Sequence, residues 1–183
     1  SQLIKPALVV LLLLAGAYGA WCSLMSGRVA QVKATIAYHN QQLKAVTPNM
    51  VLKADEVYAA GFPFHSEVRV SQLTLSMVEG DETYLVRVPL VRVDRVRQGM
   101  NVQIGSEVEA LYAKNGQTPE HYHVTLSDAI GVVLTMPEKE GEPFMRYRLF
   151  LPKQMGMVMT LNGKSISEPI PDVAFYNAVL KIW

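Results

Sequence analysis

The spacing of apolar residues along this chain changes twice. From Ala7 to Met25 the run is uncharged and almost wholly apolar, with Lys5-Pro6 before it and Arg28 after it. From Arg28 to Val46 the apolar residues thin to a stripe: Val29, Val32, Ile36 and Leu43 fall at heptad spacing among Gln31, Lys33, His39, Gln41, Gln42 and Lys44. Beyond Thr47-Pro48-Asn49 the period becomes two. Spanning a bilayer core of about 30 Å takes about 20 apolar helical residues, so the first regime predicts a membrane-spanning helix. The second predicts an amphipathic helix continuing out of the membrane, stopped at Thr47 because proline disfavours helix at the residue before it. The third predicts strands with one face toward a core.

The first segment has rival readings. Lys5, Val9–Leu14 and Ala15-Gly16-Ala17 have the order of a cleaved signal peptide, a basic start, an apolar core and a small-residue site. The apolar run nevertheless continues through Tyr18, Trp21, Leu24 and Met25, which favours a retained anchor. A lipoprotein site at Cys22 is disfavoured by bulky Trp21 before it. Trp21 and Tyr18 suit an interface, where amphipathic rings gather. Gly16, Gly19 and Ala20, with Ala15, place small residues four apart, a spacing that lets helices approach closely in lipid but is also common in spans generally. Flanking charge does not decide orientation, with Lys5 on one side and Arg28, Lys33 and Lys44 on the other. A short tail before the span and a long polar body after it is the layout of a signal anchor. The body is therefore expected outside the cytoplasm, in the periplasm of a bacterial inner-membrane protein.

The β region is predicted as a predominantly antiparallel meander of seven or eight strands, with no βαβ alternation. Met100, Val102, Ile104, Ser106, Val108, Ala110 and Tyr112 alternate with polar residues as a single long strand. Glu67–Val78 alternates too, but Val68 and Val70 are out of phase with Leu73, Leu75 and Met77, and a bulge near Ser71-Gln72 would reconcile them. Thr83–Val96, His121–Leu126, Gly131–Met136, Phe144–Leu151 and Met155–Leu161 continue the pattern. Glu79-Gly80-Asp81, Asn115-Gly116 and Asn162-Gly163 read as turns, the last joining Met155–Leu161 to Lys164–Ser167. Asp172 is a candidate cap for a short C-terminal helix that puts Val173, Tyr176, Val179, Leu180 and Trp183 on one face. The expected layout is an anchor over 1–26, a helical stalk over 27–47 packing one stripe on its own domain, and a mainly β domain over 48–183. Its sheet is expected to be curved, taco-like or an open barrel.

Composition narrows the function. The 183 residues carry a formal net charge of +1, which argues against nucleic acid as a partner. The single cysteine lies in the span, so no intrachain disulfide or cysteine-based metal cluster forms. The chain has no nucleophile elbow, no HExxH and no phosphate loop. His121 and His123 share a strand face, but no third ligand is evident, and zinc takes three or four. Arg87, Arg92, Arg95 and Arg97 form a basic run in which Arg87 and Arg95 share parity. It can meet lipid headgroups, or pair across strands with Glu107 and Glu109. Met155, Met157 and Met159 line one strand face, which suits a core or an adaptable apolar surface for lipid or a partner. No catalytic residue, cofactor or metal site is expected.

Gly61-Phe62-Pro63-Phe64, followed by Glu67-Val68-Arg69-Val70 and Leu73, resembles the G-F/W-P-F segment that opens the β region of an uncharacterised family of single-span proteobacterial envelope proteins. That family is distantly similar to AsmA-like proteins, whose curved sheets are associated with lipid handling between membranes. The resemblance implies an anchored β domain and carries over no catalytic residue. Locally, Gly61 permits a tight backbone and Pro63 restricts Phe62 to extended geometry, so Phe62 and Phe64 are expected to plug the end of the sheet. Together these features predict a non-enzymatic, membrane-anchored accessory or scaffold subunit of a bacterial envelope complex, with a lipid-binding or lipid-transfer module as the alternative. Its expected partners are the bilayer, other membrane subunits and phospholipid.

Overall fold

The uncharged run and the amphipathic stripe form one unbroken helix, α1 (Ile4–Val46), of 43 residues. At the usual rise it is about 65 Å long. It ends where the sequence places the stop: the Thr47 N–H donates to the Leu43 carbonyl at 2.7 Å, and Pro48 follows. The computed structural model describes residues 4–96, 99–126, 130–135, 146–150 and 157–165. After α1 come the strands β1 (Met50–Lys53), β2 (Glu56–Ala60), β3 (Glu67–Glu79), β4 (Glu82–Val96), β5 (Gly99–Ile104), β6 (Glu107–Lys114), β7 (Glu120–Leu126), β8 (Ile130–Thr135), β9 (Arg146–Phe150), β10 (Met157–Leu161) and β11 (Lys164–Ser165). They form one large open sheet in which every pairing is antiparallel. Met155 and the expected C-terminal helix around Asp172–Trp183 lie outside the described residues.

The long hairpin β3–β4 is the spine, and a transverse seam crosses it. On one side of the seam β3 and β4 are flanked by β1 and by β6, β7, β10 and β11. On the other they are flanked by β2 and by β5, β8 and β9. Ala54-Asp55 interrupt β1 and β2 at this level, and Gly105-Ser106 interrupt β5 and β6. On the spine, Ser71 faces Leu90 and Leu73 faces Val88, leaving Gln72 opposite Pro89 without a ladder pair. Proline has no N–H to donate there, and Gln72 takes a left-handed φ of 50°. The expected bulge near Ser71-Gln72 is corrected in kind. No residue is inserted, because the β3–β4 register is the same on both sides. The phase slips on both strands together, so that Val70 and Leu73, and likewise Val88 and Val91, all reach one core.

The expected single strand Met100–Tyr112 is also corrected. It divides at the seam because β4 has three residues, Val88–Leu90, opposite four in Gly105–Val108. Gly105 takes up the difference, with its N–H donating to the Leu90 carbonyl at 3.1 Å. A Cβ at this position would lie 2.9 Å from that same oxygen. The variant Gly105→Ala is therefore expected to lose about 1–3 kcal/mol, since backbone rather than a movable side chain must yield. Denaturant unfolding in micelles should show a lowered midpoint for the sheet.

The core lies between the second half of α1 and the β2–β5 side of the sheet. Met25 and Val32 of α1 are buried against Val68 and Val70 of β3, Val91 and Val93 of β4, and Met100 of β5, with Trp21, Val29 and Ile36 packed around them. Further along, the Leu52 N–H donates to Asn40 Oδ1 at 2.9 Å and fixes β1 to the helix. The two Asn-Gly turns differ: Asn115-Gly116 opens a five-residue loop, 115–119, between β6 and β7, with positive φ at Gly116 and not at Asn115, whereas Asn162-Gly163 is a two-residue hairpin. Asn162 and Gly163 both take positive φ, 48° and 78°, as a type I′ hairpin requires.

At the far end of the spine, Glu82 and Lys114 are register partners on β4 and β6, and Lys114 Nζ donates to Glu82 Oε1 at 2.8 Å. The Tyr84 hydroxyl donates to the other carboxylate oxygen at 2.5 Å. The bond from Lys114, then that from Tyr84, holds the Glu82 carboxyl down from 4.5 to about 2. A carboxyl lowered on folding stabilises the native state above its unfolded value, so this contribution disappears as pH falls from 4.5 to about 2. Glu82→Gln should flatten the fall in unfolding midpoint over that window. The same bond raises the Tyr84 phenol to about 12, so in the variant its ultraviolet titration should move down.

Candidate functional site

Helix α1 is long and apolar enough to cross a membrane. Leu8 to Ala20 are exposed along it, and burial against the body begins at Trp21 and is complete at Met25, which is 1% exposed. The candidate site is this junction, where the exposed apolar helix enters the β body. The loop between β2 and β3 meets it there. The Phe62 ring stands edge-on to Tyr18 at 5.2 Å between centroids and tilted to Trp21 at 5.5 Å, while Tyr18 and Trp21 stack at 5.9 Å. Tyr18 and Trp21 are three apart, so a helix presents both to the same neighbour. The Trp21 indole N–H donates to Ser66 Oγ at 2.7 Å, which satisfies the one polar atom of the ring.

Gly61 makes the loop possible. Its φ is +101°, and a Cβ there would lie 2.5 Å from the His65 ring and 2.8 Å from the His65 carbonyl oxygen. The His65 N–H donates back to the Gly61 carbonyl at 2.9 Å and closes the turn. The expected plug is corrected in part. Phe62 packs on the helix, whereas Phe64 is 94% exposed and covers nothing. The turn that Gly61 allows sends the two rings in different directions.

Behind the loop is a charged group that the sequence analysis did not single out. Glu67 is only 5% exposed, and Arg69 Nε donates to its carboxylate at 2.6 Å. Residues two apart on a strand share a face, so the pair is a consequence of strand geometry. The β3–β4 register places Asp94 across from Glu67. Burial, and then the charge of Glu67, push the Asp94 carboxyl above its ordinary value. The bond to Glu67 holds the Arg69 guanidinium protonated. The only signal in the sequence was Glu67-x-Arg69 at period two beside a turn. Nothing in that pattern says the carboxylate is buried.

The other sequence candidates disperse. Gly16, Gly19 and Ala20 are exposed on α1 before the junction, with open space around Gly16 and Gly19. Arg87 pairs with Glu109 on β6 at 3.5 Å between Nη1 and Oε2. Because phase slips between Val88 and Val91, Arg87 and Arg95 do not share a face, contrary to their parity; Arg95 falls with Val91 and Val93. Met157 and Met159 lie opposite Leu126 and Val124 in the β10–β7 register. His121 and His123 line an open recess of about 480 Å³ with Arg87, Glu109 and Leu111. Among the described residues, no three His, Cys, Asp or Glu side chains gather to hold a metal ion.

Comparison of the chain with protein-family models, with curated proteins and with solved structures found no match to any of them. The functional reading therefore rests on the junction.

Proposed function

We propose that this protein is a non-enzymatic, single-pass membrane-anchored accessory or scaffold subunit of a bacterial envelope complex, with its β body in the periplasm. One observation carries the reading. The exposed apolar stretch lies on the same unbroken helix as Met25 and Val32 of the body's core, so no linker separates the apolar stretch from the domain. A hydrolase tethered for access to soluble substrate works equally well on a flexible linker; a subunit that positions a surface against membrane neighbours gains from stiffness. The small-residue stripe Gly16, Gly19 and Ala20, exposed on the anchor, gives neighbouring spans a place to pack. The resemblance of Gly61–Phe64 to single-span envelope proteins points the same way. The test is purification of the intact protein from native membranes in mild detergent, followed by mass spectrometry. Stoichiometric membrane subunits are expected; the protein alone would overturn the reading.

A specific observation favours lipid binding as the second reading. Leu52, Leu75, Val86, Ala110 and Tyr122 are successive register partners across β1, β3, β4, β6 and β7, and so form one apolar row on a single sheet face. Val86 within it is exposed. Recovery of a monomer with bound phospholipid from the same purification would select this reading.

A further inference from the structure

We propose that the Gly61–Phe64 loop is a second membrane contact, a wedge that enters the interfacial layer beside the anchor. The inference rests on α1 spanning the bilayer and goes beyond it by assigning a membrane surface to the β body itself. The argument begins with depth. The uncharged run ends at Met25, and about 20 helical residues are needed to cross the hydrocarbon. Tyr18 lies seven positions before Met25, about 10 Å along a helix axis. Phe62 rests on Tyr18 and Trp21. A span that uses the whole run therefore carries the loop below the water boundary. Keeping the loop in water instead leaves, of the uncharged run that follows Lys5, only Ala7–Ala17, about 16 Å of helix, to cross about 30 Å of hydrocarbon.

The chemistry of the loop fits that depth. Gly61-Phe62-Pro63-Phe64 carries no charge, and Pro63 has no N–H to desolvate. A lone exposed phenylalanine on a soluble surface needs no explanation. Phe64 differs because it is two residues from Phe62, which packs on a helix whose own Leu24 and Tyr18 are exposed. Irregular backbone does not face the hydrocarbon interior, which limits the wedge to the interface, about 5–10 Å deep. The polar atoms nearest it are already paired: Trp21 with Ser66, and the His65 N–H with the Gly61 carbonyl. Exposed His65 and the Glu67–Arg69 pair follow at once and mark the upper limit of immersion. Helix and wedge together make two points of attachment, which fix the rotation of the body about α1.

The test uses the full chain with its cysteine replaced, Cys22→Ser, and single cysteines introduced as Leu12→Cys, Phe64→Cys or Asn115→Cys. Asn115 is exposed at the far end of β3, about 40 Å from the loop. Each variant is labelled with the environment-sensitive fluorophore NBD and reconstituted into phosphatidylcholine–phosphatidylglycerol vesicles. Quenching is then measured with iodide and with lipid bearing a spin label high on its acyl chain. At position 64 the label should show blue-shifted emission, loss of most iodide quenching relative to position 115, and strong quenching by the spin-labelled lipid. Iodide quenching at 64 equal to that at 115, while position 12 is quenched by lipid alone, overturns the wedge and leaves the span intact. Protection from iodide without lipid quenching at 64 assigns the loop to a protein contact and also overturns it. Absence of lipid quenching at position 12 overturns span and wedge together.

Discussion

Arg69→Met is expected to destabilise the β body by about 3 kcal/mol, the low end for breaking a buried ion pair because Arg69 keeps a side-chain exposure of 33% while Glu67 keeps 6%. The loss comes mostly from what remains. Glu67 would stay between β2 and β4 with its strongest donor gone, and Asp94, already pushed up by burial and by the Glu67 charge, would still face it. The compensating variant tests this account. Adding Glu67→Gln to Arg69→Met removes the stranded charge, so the double variant should recover much of the loss. Guanidinium unfolding of the unmodified protein, Arg69→Met, Glu67→Gln and the double variant in one micelle system closes the cycle. A double variant that is less stable than Arg69→Met alone would mean that the methionine was badly packed, not that a carboxylate was stranded.

This pair also shows where the sequence stops being informative. Local chemistry was legible: the end of α1 at Thr47-Pro48, the I′ hairpin at Asn162-Gly163, and the phase slip between Val70 and Leu73. Each is written in the residues that adopt it. Features that depend on a facing strand were not. The alternation of Met100–Tyr112 runs through Gly105 without a mark, and the break appears only because Val88–Leu90 stands opposite. The Ser71-Gln72 irregularity was visible in β3, but its form depends on Pro89. The short strands β1 and β2 went unread because four or five residues, with alanines at Ala59 and Ala60, carry too little alternation. Phe64 was misplaced for a similar reason. Whether an aromatic after a turn covers the sheet or leaves it depends on where α1 lies, and the 3.6 period alone does not say which face of Tyr18 and Trp21 the loop will meet.

The position of α1 is itself testable, through the contrast between Met25→Ala and Leu24→Ala. Both delete apolar groups at the same depth on the same helix, so their effects on insertion should be alike and small. Their effects on the body should differ sharply. Met25 is 1% exposed among Val32, Val68, Val70, Val91, Val93 and Met100, and Arg28 Nη1 lies 3.7 Å from its sulfur. Truncation there leaves a cavity in a core with few other fully buried side chains, at a cost of about 3 kcal/mol. Leu24 is 75% exposed, and its truncation should leave the unfolding midpoint of the sheet almost unchanged. Far-ultraviolet circular dichroism of the β signal during denaturation, with carbonate extraction as the control for insertion, reads both effects. Equal midpoints for the two variants would mean that the helix passes the sheet without contributing to its core. The direct coupling of anchor to body, and the scaffold function proposed from it, would then fail together.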